Sequence, residues 1–366
     1  MRLPCEQCGF FHVVCKNIVS LSFDIKTPFV FNYIDIPMIQ GLFTPEEVSY
    51  MISAGNKLLL AGDAKLLSQL PAGEWIGGST PFFILYPENR TTSFDKIFVS
   101  QLPDFVTKTE IREYDVTNIQ NIFTDGRQNG FTVLIMPYAS PIAVEYAINA
   151  TNYANFAAHP VCGWLSGQPL EIILNEKSYT ASGISTCISS EKGVAMHISL
   201  PESKYAEIHI FNPYIQGNGD SIMFENSSLI VKDAIINGVK RNFAAYLREI
   251  GYDMQMPLVA NYSGAMINDV ICDISGDEVP MSAPVFKDME YRLGMVDDAI
   301  VEPSLMSDQI VFSATCIGNF LQPHICAQYL KKMNGPVVFG EIAYQQVGQT
   351  TVYVTVNDVP FNTETI

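Results

Sequence analysis

Long basic runs are missing from this chain. Its 366 residues carry 21 Lys and Arg against 38 Asp and Glu, a formal net charge of −17. No basic cluster is longer than a pair such as Lys331-Lys332. A surface of that sign is repelled at long range by a nucleic-acid duplex or an anionic bilayer, so nucleic acid is not expected as a partner. No stretch reaches the roughly 18 uninterrupted apolar residues of a membrane span. Arg2 followed by Gly9 to Phe23 resembles a secretory signal only faintly. Glu6, His12 and Lys16 interrupt it, and no small-x-small cleavage site follows. No membrane association and a cytoplasmic location are therefore expected. In that compartment the sequons at Asn89, Asn149, Asn226 and Asn261 are chance matches.

Familiar catalytic signatures are missing as well. There is no Gly-x-Ser-x-Gly elbow; Trp164-Leu165-Ser166-Gly167 and Tyr262-Ser263-Gly264 are fragments of one. The P-loop lysine and the three-glycine dinucleotide spacing are absent. No repeat of 20–50 residues is visible. Carboxylate pairs such as Asp277-Glu278 and Asp297-Asp298 have no nearby His and read as solvated turns.

What is present is a large core. Apolar residues make up 48% of the chain and charged residues 16%, a globular composition long enough for two domains. Eight cysteines are spread over the chain. In a chain of this size, Cys162, Cys187, Cys272, Cys316 and Cys326, in apolar surroundings, read as buried thiols rather than a disulfide framework.

Residues 1–37 are Cys- and Phe-rich without a clean period and read as an extension lacking fixed structure, with Met38 an alternative start. Thr44-Pro45-Glu46-Glu47 then supplies a cap, a Pro at the first helical position and a Glu three residues after the cap. Val48, Met51 and Ile52 share one face of that helix, and Gly55 stops it. Lys57 to Ala61 and Phe131 to Met136 read as buried strands, and so does Pro81-Phe82-Phe83-Ile84-Leu85. Asp63 caps a helix to Leu70, and Ser140-Pro141 opens one running to about Tyr153. Alternation predicts strands at Leu170 to Leu174, Ala195 to Leu200 and Ala206 to Phe211. Asn237-Gly238 predicts a turn before a helix from Val239 to Ile250. Further strands are expected at Val270 to Ile274, Ile310 to Ala314, Val337 to Phe339 and Thr350 to Val356, with a helix at Pro323 to Met333. Helices and strands mixed in this way predict an α/β (mixed α+β) fold, with sheets flanked by helices.

Three patterns carry possible chemistry. Cys5, Cys8, His12 and Cys15 offer three thiolates and an imidazole, a possible tetrahedral zinc set. Their spacing is tight and the usual polar knuckle residues are missing, so no metal or other cofactor is assigned. Cys316 and His324 lie eight apart; a nucleophilic pair needs spatial contact that spacing cannot show. Gly77-Gly78-Ser79-Thr80 offers backbone amides to an anion, or else forms a tight turn.

Several stretches resemble the FIST family, sensory domains of intracellular signal transduction. Phe312-Ser313-Ala314-Thr315-Cys316-Ile317-Gly318-Asn319 resembles its Cys-containing strand-to-loop motif. Gly335-Pro336-Val337-Val338-Phe339-Gly340-Glu341-Ile342 resembles its Gly-Glu strand, and Thr350-Thr351-Val352-Tyr353 its last strand. Ile76-Gly77-Gly78-Ser79-Thr80 looks like its glycine turn, and Ala283 to Leu293 suits its mid-chain strand and turn. The loop after Cys316 lacks the Arg expected there, and no kinase or methyl-accepting module is fused. The resemblance implies two α/β domains, 38–215 and 216–366, with a small-molecule ligand, an amino acid by the usual inference, and a signalling protein partner. It implies ligand contacts from Gly77, Gly78, Ser79, Thr80, Cys316, Gly318, Asn319, Gly340 and Glu341. The amides of Gly77 to Thr80 would take a ligand carboxylate, and Glu341 its ammonium. An enzyme using Cys316 as nucleophile, or an interaction module without ligand, are the alternatives.

Overall fold

The structure is a computed structural model that describes residues 39–87, 89–173, 175–262, 265–297, 299, 310–330 and 333–360. Cys5, Cys8, His12 and Cys15 lie outside the described residues, as do Ser263, Gly264 and Lys331-Lys332. The fold is mixed α+β, as expected.

Local signals act where they were read. Thr44 caps the helix Pro45–Ser53: its hydroxyl accepts from the Glu47 amide and its own amide donates to the Glu47 carboxylate at 2.8 Å. Asp63 caps Ala64–Leu67, and Ser140 caps Pro141–Asn149. Asn237 and Gly238 both take positive φ (49° and 82°). They form a hairpin turn between the paired strands Asp233–Ile236 and Val239–Asn242. The helix expected from Val239 therefore starts only at Phe243, capped by Asn242. Two expected strands are not formed: Leu170 to Ile173 are turns, and Val270 to Ile274 contribute only an isolated bridge from Ile271 to Met281.

Three sheets build the main body. The first orders Gln40–Phe43, Ile97–Gln101, Leu58–Gly62, Trp75–Ser79, Thr180–Ser182 and Ile188–Ser189. The second runs Gln345–Val347, Glu341–Ala343, Val161–Ser166, Gly130–Pro137, Gly193–Ser199, Lys108–Tyr114. The third runs Lys204–Phe211, Thr351–Asp358, Ile310–Cys316, Gly335–Val338, Phe82–Leu85, Asn89–Thr92. Each contains one parallel pair: Leu58–Gly62 with Trp75–Ser79, Gly130–Pro137 with Val161–Ser166, and Ile310–Cys316 with Gly335–Val338. A helix lies in each connection, as a parallel crossover requires.

The second sheet is buried on both faces. Val133 and Ile135 join a core shared with Phe312, Ala314, Val352 and Val354 of the third sheet, whereas Leu134 and Met136 face Ile142 and Tyr146 of the Pro141–Asn149 helix. Trp164 stacks on Phe312 at a centroid distance of 5.3 Å and an interplanar angle of 15°. The two sheets meet there.

Residues 222–296 form most of a further sheet and a two-stranded ribbon, Ser228–Val231 with Val279–Val285, around their own core. The chain leaves the three sheets after Phe211, and Tyr214–Gln216, which straddles the boundary expected at 215/216, already pairs with Tyr291–Val296. However, residues 310–358 return to the main body. Thr351–Asp358 pairs along its whole length with Lys204–Phe211, Gly335–Val338 with Phe82–Leu85, and Glu341–Ala343 with Val161–Ser166. Sheets are thus shared across the expected division, because pairing between distant strands leaves no local mark at a loop.

Gly163 sits where two of these strands press together. It has φ of +147°, and a Cβ there would fall 1.8 Å from the Leu134 carbonyl oxygen. Gly163→Ala should therefore destabilise the fold by more than about 2 kcal/mol in urea unfolding, whereas Gly219→Ala, which meets nothing within 4 Å, should stay within about 0.5 kcal/mol of the parent.

Candidate functional site

The strand Ile310–Cys316 is buried throughout and ends with Cys316 as the residue capping the short helix Ile317–Phe320. The Cys316 amide donates to the Thr350 carbonyl. After the parallel neighbour Gly335–Val338, Gly340 takes φ of +142°, and its carbonyl accepts from the Leu165 amide. The next residue, Glu341, is placed directly opposite Trp164 and is 0% exposed. Its Oε2 accepts from the Thr350 hydroxyl at 3.2 Å. The structure thus brings Cys316, Gly318, Asn319, Gly340 and Glu341 into one buried neighbourhood.

Its electrostatics are those of a dry polar recess. Burial pushes the Glu341 carboxyl well above the usual carboxylate range, more than the Thr350 hydroxyl pulls it down. Burial also pushes the Cys316 thiol up, with the neighbouring Glu341 charge adding to it, while the amides of Gly318 and Gln349 act in the opposite direction. Burial thus favours the neutral form of both groups. Glu341 Oε1, Gln349 Oε1 and both side-chain polar atoms of Asn319 lack a hydrogen-bond partner. His324, by contrast, is exposed while Cys316 is buried. The titratable group beside the sulfur is Glu341, not His324.

Gly77, Gly78, Ser79 and Thr80 do not share this recess. Gly77 to Ser79 belong to the buried central strand Trp75–Ser79, flanked on both edges by Leu58–Gly62 and Thr180–Ser182. The Ser79 and Thr80 amides donate to the Tyr179 and Gly62 carbonyls, and their hydroxyls to Gly167 and Val337 at 2.7 and 2.6 Å. The cradle expected for a carboxylate is therefore corrected to a strand whose donors are already committed. Gly78 keeps close quarters instead: a Cβ there would lie 2.9 Å from the Trp164 indole nitrogen. Likewise the expected ammonium site at Glu341 is a carboxyl enclosed by the fold, where burial favours the neutral form.

The principal cavity lies beside the recess. It has a volume of about 490 Å³ and opens between the Pro141–Asn149 helix, which contributes Ala143, Val144 and Ala147, and the second unit, which contributes Leu229, Ile230 and Met281. Asp273, Asp277, Glu278 and Lys232 add charged groups to an otherwise apolar lining. A smaller hollow of about 30 Å³, lined by Cys316, Gly318 and Gly340, shares Tyr138, Cys272 and Ser282 with it as walls. Ala139, at the turn into the helix, holds a positive φ of 55° and also lines the cleft. Sequence reasoning missed the cleft residues. The only available signal was the set of small side chains at 143, 144 and 147, which reads equally well as helix packing.

Beneath one wall lies a carboxyl that the sequence did not flag. Asp269 Oδ1 accepts from the Ala283 amide at 2.9 Å and from the Ser282 hydroxyl at 3.2 Å, and Oδ2 has no partner. Burial pushes this carboxyl up to about 7 against those hydrogen bonds. A second buried chain also went unread. Asp125, Tyr114, His197, Thr132 and His159 are linked in that order by contacts of 2.7–2.9 Å. It lines neither cavity.

Among the described residues, no cluster of three or more His, Cys, Asp or Glu is arranged to hold a metal ion. None of the described helices is long and apolar enough to cross a membrane. Cys162, Cys316 and Cys326 are buried free thiols, whereas Cys187, expected inside, is exposed.

The chain belongs to DUF6976, a family of unknown function, which it matches over residues 43–357. No curated protein and no solved structure matches it. The FIST resemblance is corrected by this result: the match over residues 43–357 is to a different family, and no FIST domain is found. The motifs that suggested it are short strand ends, a pattern that unrelated α/β sheets share.

The Asp269 geometry sets a pH dependence. The folded carboxyl holds its proton to about pH 7, while the unfolded one ionises near 3.9. The native state binds more protons between those values, so its stability falls as pH rises through the window. Asp269→Asn should remove this loss. Its stability relative to the parent should improve by on the order of 3 kcal/mol between pH 4 and pH 8 in urea titrations, and a constant difference between the two proteins would refute the assignment.

Proposed function

We propose that this member of the family binds a small, largely apolar molecule in the cleft between the Pro141–Asn149 helix and the 222–296 unit. The carrying observation is the cavity itself. Its volume of about 490 Å³ lies in the range of small-molecule sites, and such sites favour the junction of two structural units. The lining supports the same reading: apolar walls from Val144, Ile230 and Met281, with a few polar groups, Ser282, Gln346 and Asp273, to orient a ligand. Gln346 is fixed by donating to the Ser282 carbonyl at 2.8 Å, so part of the polar frame is preorganised.

A sensory role in signal transduction was implied by the FIST resemblance and has no other support, so the proposal stops at ligand binding. An amino acid spanning Gly77–Thr80 and Glu341 is not favoured, since neither end of that arrangement is available. A reducing, cytoplasmic setting fits the free thiols of Cys162, Cys316 and Cys326.

Val144 is half-buried on the cleft wall, and a Trp there fills the space without disturbing the helix cap. The parent protein should bind the neutral apolar dye Nile red at one site per chain. Val144→Trp should weaken that binding at least about tenfold, or about 1.4 kcal/mol, with unchanged circular dichroism. Equal dye affinity in both proteins would remove the cleft as the binding site. A thermal-shift screen of amino acids and metabolites on the parent protein then identifies the natural class by a selective rise in midpoint.

A further inference from the structure

The cleft is not lined symmetrically. Its helix side, Ala143, Val144 and Ala147, carries no polar side chain, and all four charged groups of the lining, Lys232, Asp273, Asp277 and Glu278, come from the 222–296 unit. Three are carboxylates and one is an ammonium, and none of the four takes part in an ion pair among the described residues. Lys232, Asp277 and Glu278 are exposed. Asp273 differs: it is only 8% exposed, and its two oxygens accept from the Ser275 amide at 3.0 Å and the Ser275 hydroxyl at 2.6 Å, both uncharged donors. A carboxylate so enclosed is ordinarily matched by a cation, and the described part of the fold supplies none.

Gln346 gives a second, independent observation. It too is 8% exposed on the cleft wall, and its side-chain Nε2 is spent on the Ser282 carbonyl at 2.8 Å. Its Oε1 has no hydrogen-bond partner among the described residues and faces the cleft as an acceptor. The Ser282 hydroxyl is also spent, donating into the wall to Asp269 Oδ1 at 3.2 Å. These groups stand on one fastened patch. The Cys272 amide donates to the Pro280 carbonyl and the Ser282 amide to the Val270 carbonyl, so the segment that carries Asp273 lies alongside the residue that holds Gln346. A wholly apolar occupant would leave both acceptors dry and unpaired, at a cost.

We infer that the occupant of the cleft is an amphipathic cation, an alkyl or aryl amine whose ammonium meets Asp273 and Gln346 Oε1 and whose tail lies against Val144, Ile230 and Met281. This rests on the cleft being a binding site and adds the charge of what it binds. An ammonium brings three N–H donors and no acceptor, the complement of a carboxylate beside an amide oxygen. Its hydrogen bond to a carboxylate is charge-assisted and stronger than that of a hydroxyl in the same place. A carboxylate ligand would instead meet three like charges in the lining and a chain of net charge −17, with Lys232 alone to receive it. The volume of about 490 Å³ leaves room for a tail beyond the head group, and each methylene buried on the apolar side adds affinity.

Octylamine, octanol and octanoate share one tail and carry a positive, a neutral and a negative head at pH 7. Each is titrated into the full chain below its aggregation concentration, and the heat of binding is followed. Octylamine should bind at least about tenfold more tightly than octanol, and octanoate more weakly than octanol. Asp273→Asn keeps an acceptor for the Ser275 amide and removes the charge. It should bring octylamine to within about threefold of octanol and leave octanol unchanged, which also reports an intact cleft. Lys232→Gln, at an exposed position, removes the opposing cation and should tighten octylamine about twofold without moving octanol. Octanol or octanoate binding the parent protein as tightly as octylamine overturns the inference; if Val144→Trp weakens all three ligands in that case, the cleft still stands as the binding site. An octylamine preference that persists in a folded Asp273→Asn variant overturns the role of Asp273. Absence of binding by all three removes the cleft reading and the charge assignment together.

Discussion

The return of residues 310–358 to sheets begun by residues 82–211 is the constraint on which everything else in this structure depends. Ile310–Cys316 and Thr351–Asp358 form the middle of the third sheet, and Glu341–Ala343 extends the second. The two sheets are locked where Trp164 lies on Phe312. Because Glu341 is paired with Trp164, and Cys316 ends the strand that carries Phe312, the contact that closes the core also sets the carboxyl beside the thiol. Site and core are consequences of one packing event between elements far apart in the chain.

That arrangement carries a cost. An ionised carboxylate buried without a countercharge would cost several kcal/mol, and Glu341 has the Thr350 hydroxyl and the Cys316 thiol, both uncharged, as polar side-chain partners. Burial therefore favours the neutral acid. Asp269 behaves in the same way beneath the cleft wall, with two donors on one oxygen and none on the other. Two buried carboxyls whose neutral forms are favoured by burial flank the cavities in a chain of net charge −17. The acidic surface and the protonated interior are therefore separate features: water solvates the first, and desolvation imposes the second.

The part of the fold readable from residues was the part governed by neighbours in the chain. The caps at Thr44, Asp63 and Ser140 need only three or four consecutive residues to act, and each does. Alternation along Lys204–Phe211 and Thr351–Asp358 reports a strand, whatever the strand pairs with, although Thr351 to Val356 are all buried. Gly77-Gly78-Ser79-Thr80 shows the limit. The same residues suit an anion-binding turn and a tightly packed central strand, and only the arrival of Thr180–Ser182 and Trp164 selects the strand. Asn237-Gly238 was legible as a turn but not as a hairpin, because the strand after it has little apolar alternation of its own.

The sequence by itself determined the mixed α+β class, the positions of the capped helices, the buried character of Cys316 and the acidic net charge. Each follows from composition or from spacing within a few residues. Only the tertiary structure decided that Cys316 and Glu341 share a recess, that Gly77 to Thr80 do not join it, and that a cleft opens between Ala143 and Met281. These depend on which distant strands pair and on the volume left between units when they do, and pairing energy between residues more than a hundred positions apart has no signature in local order.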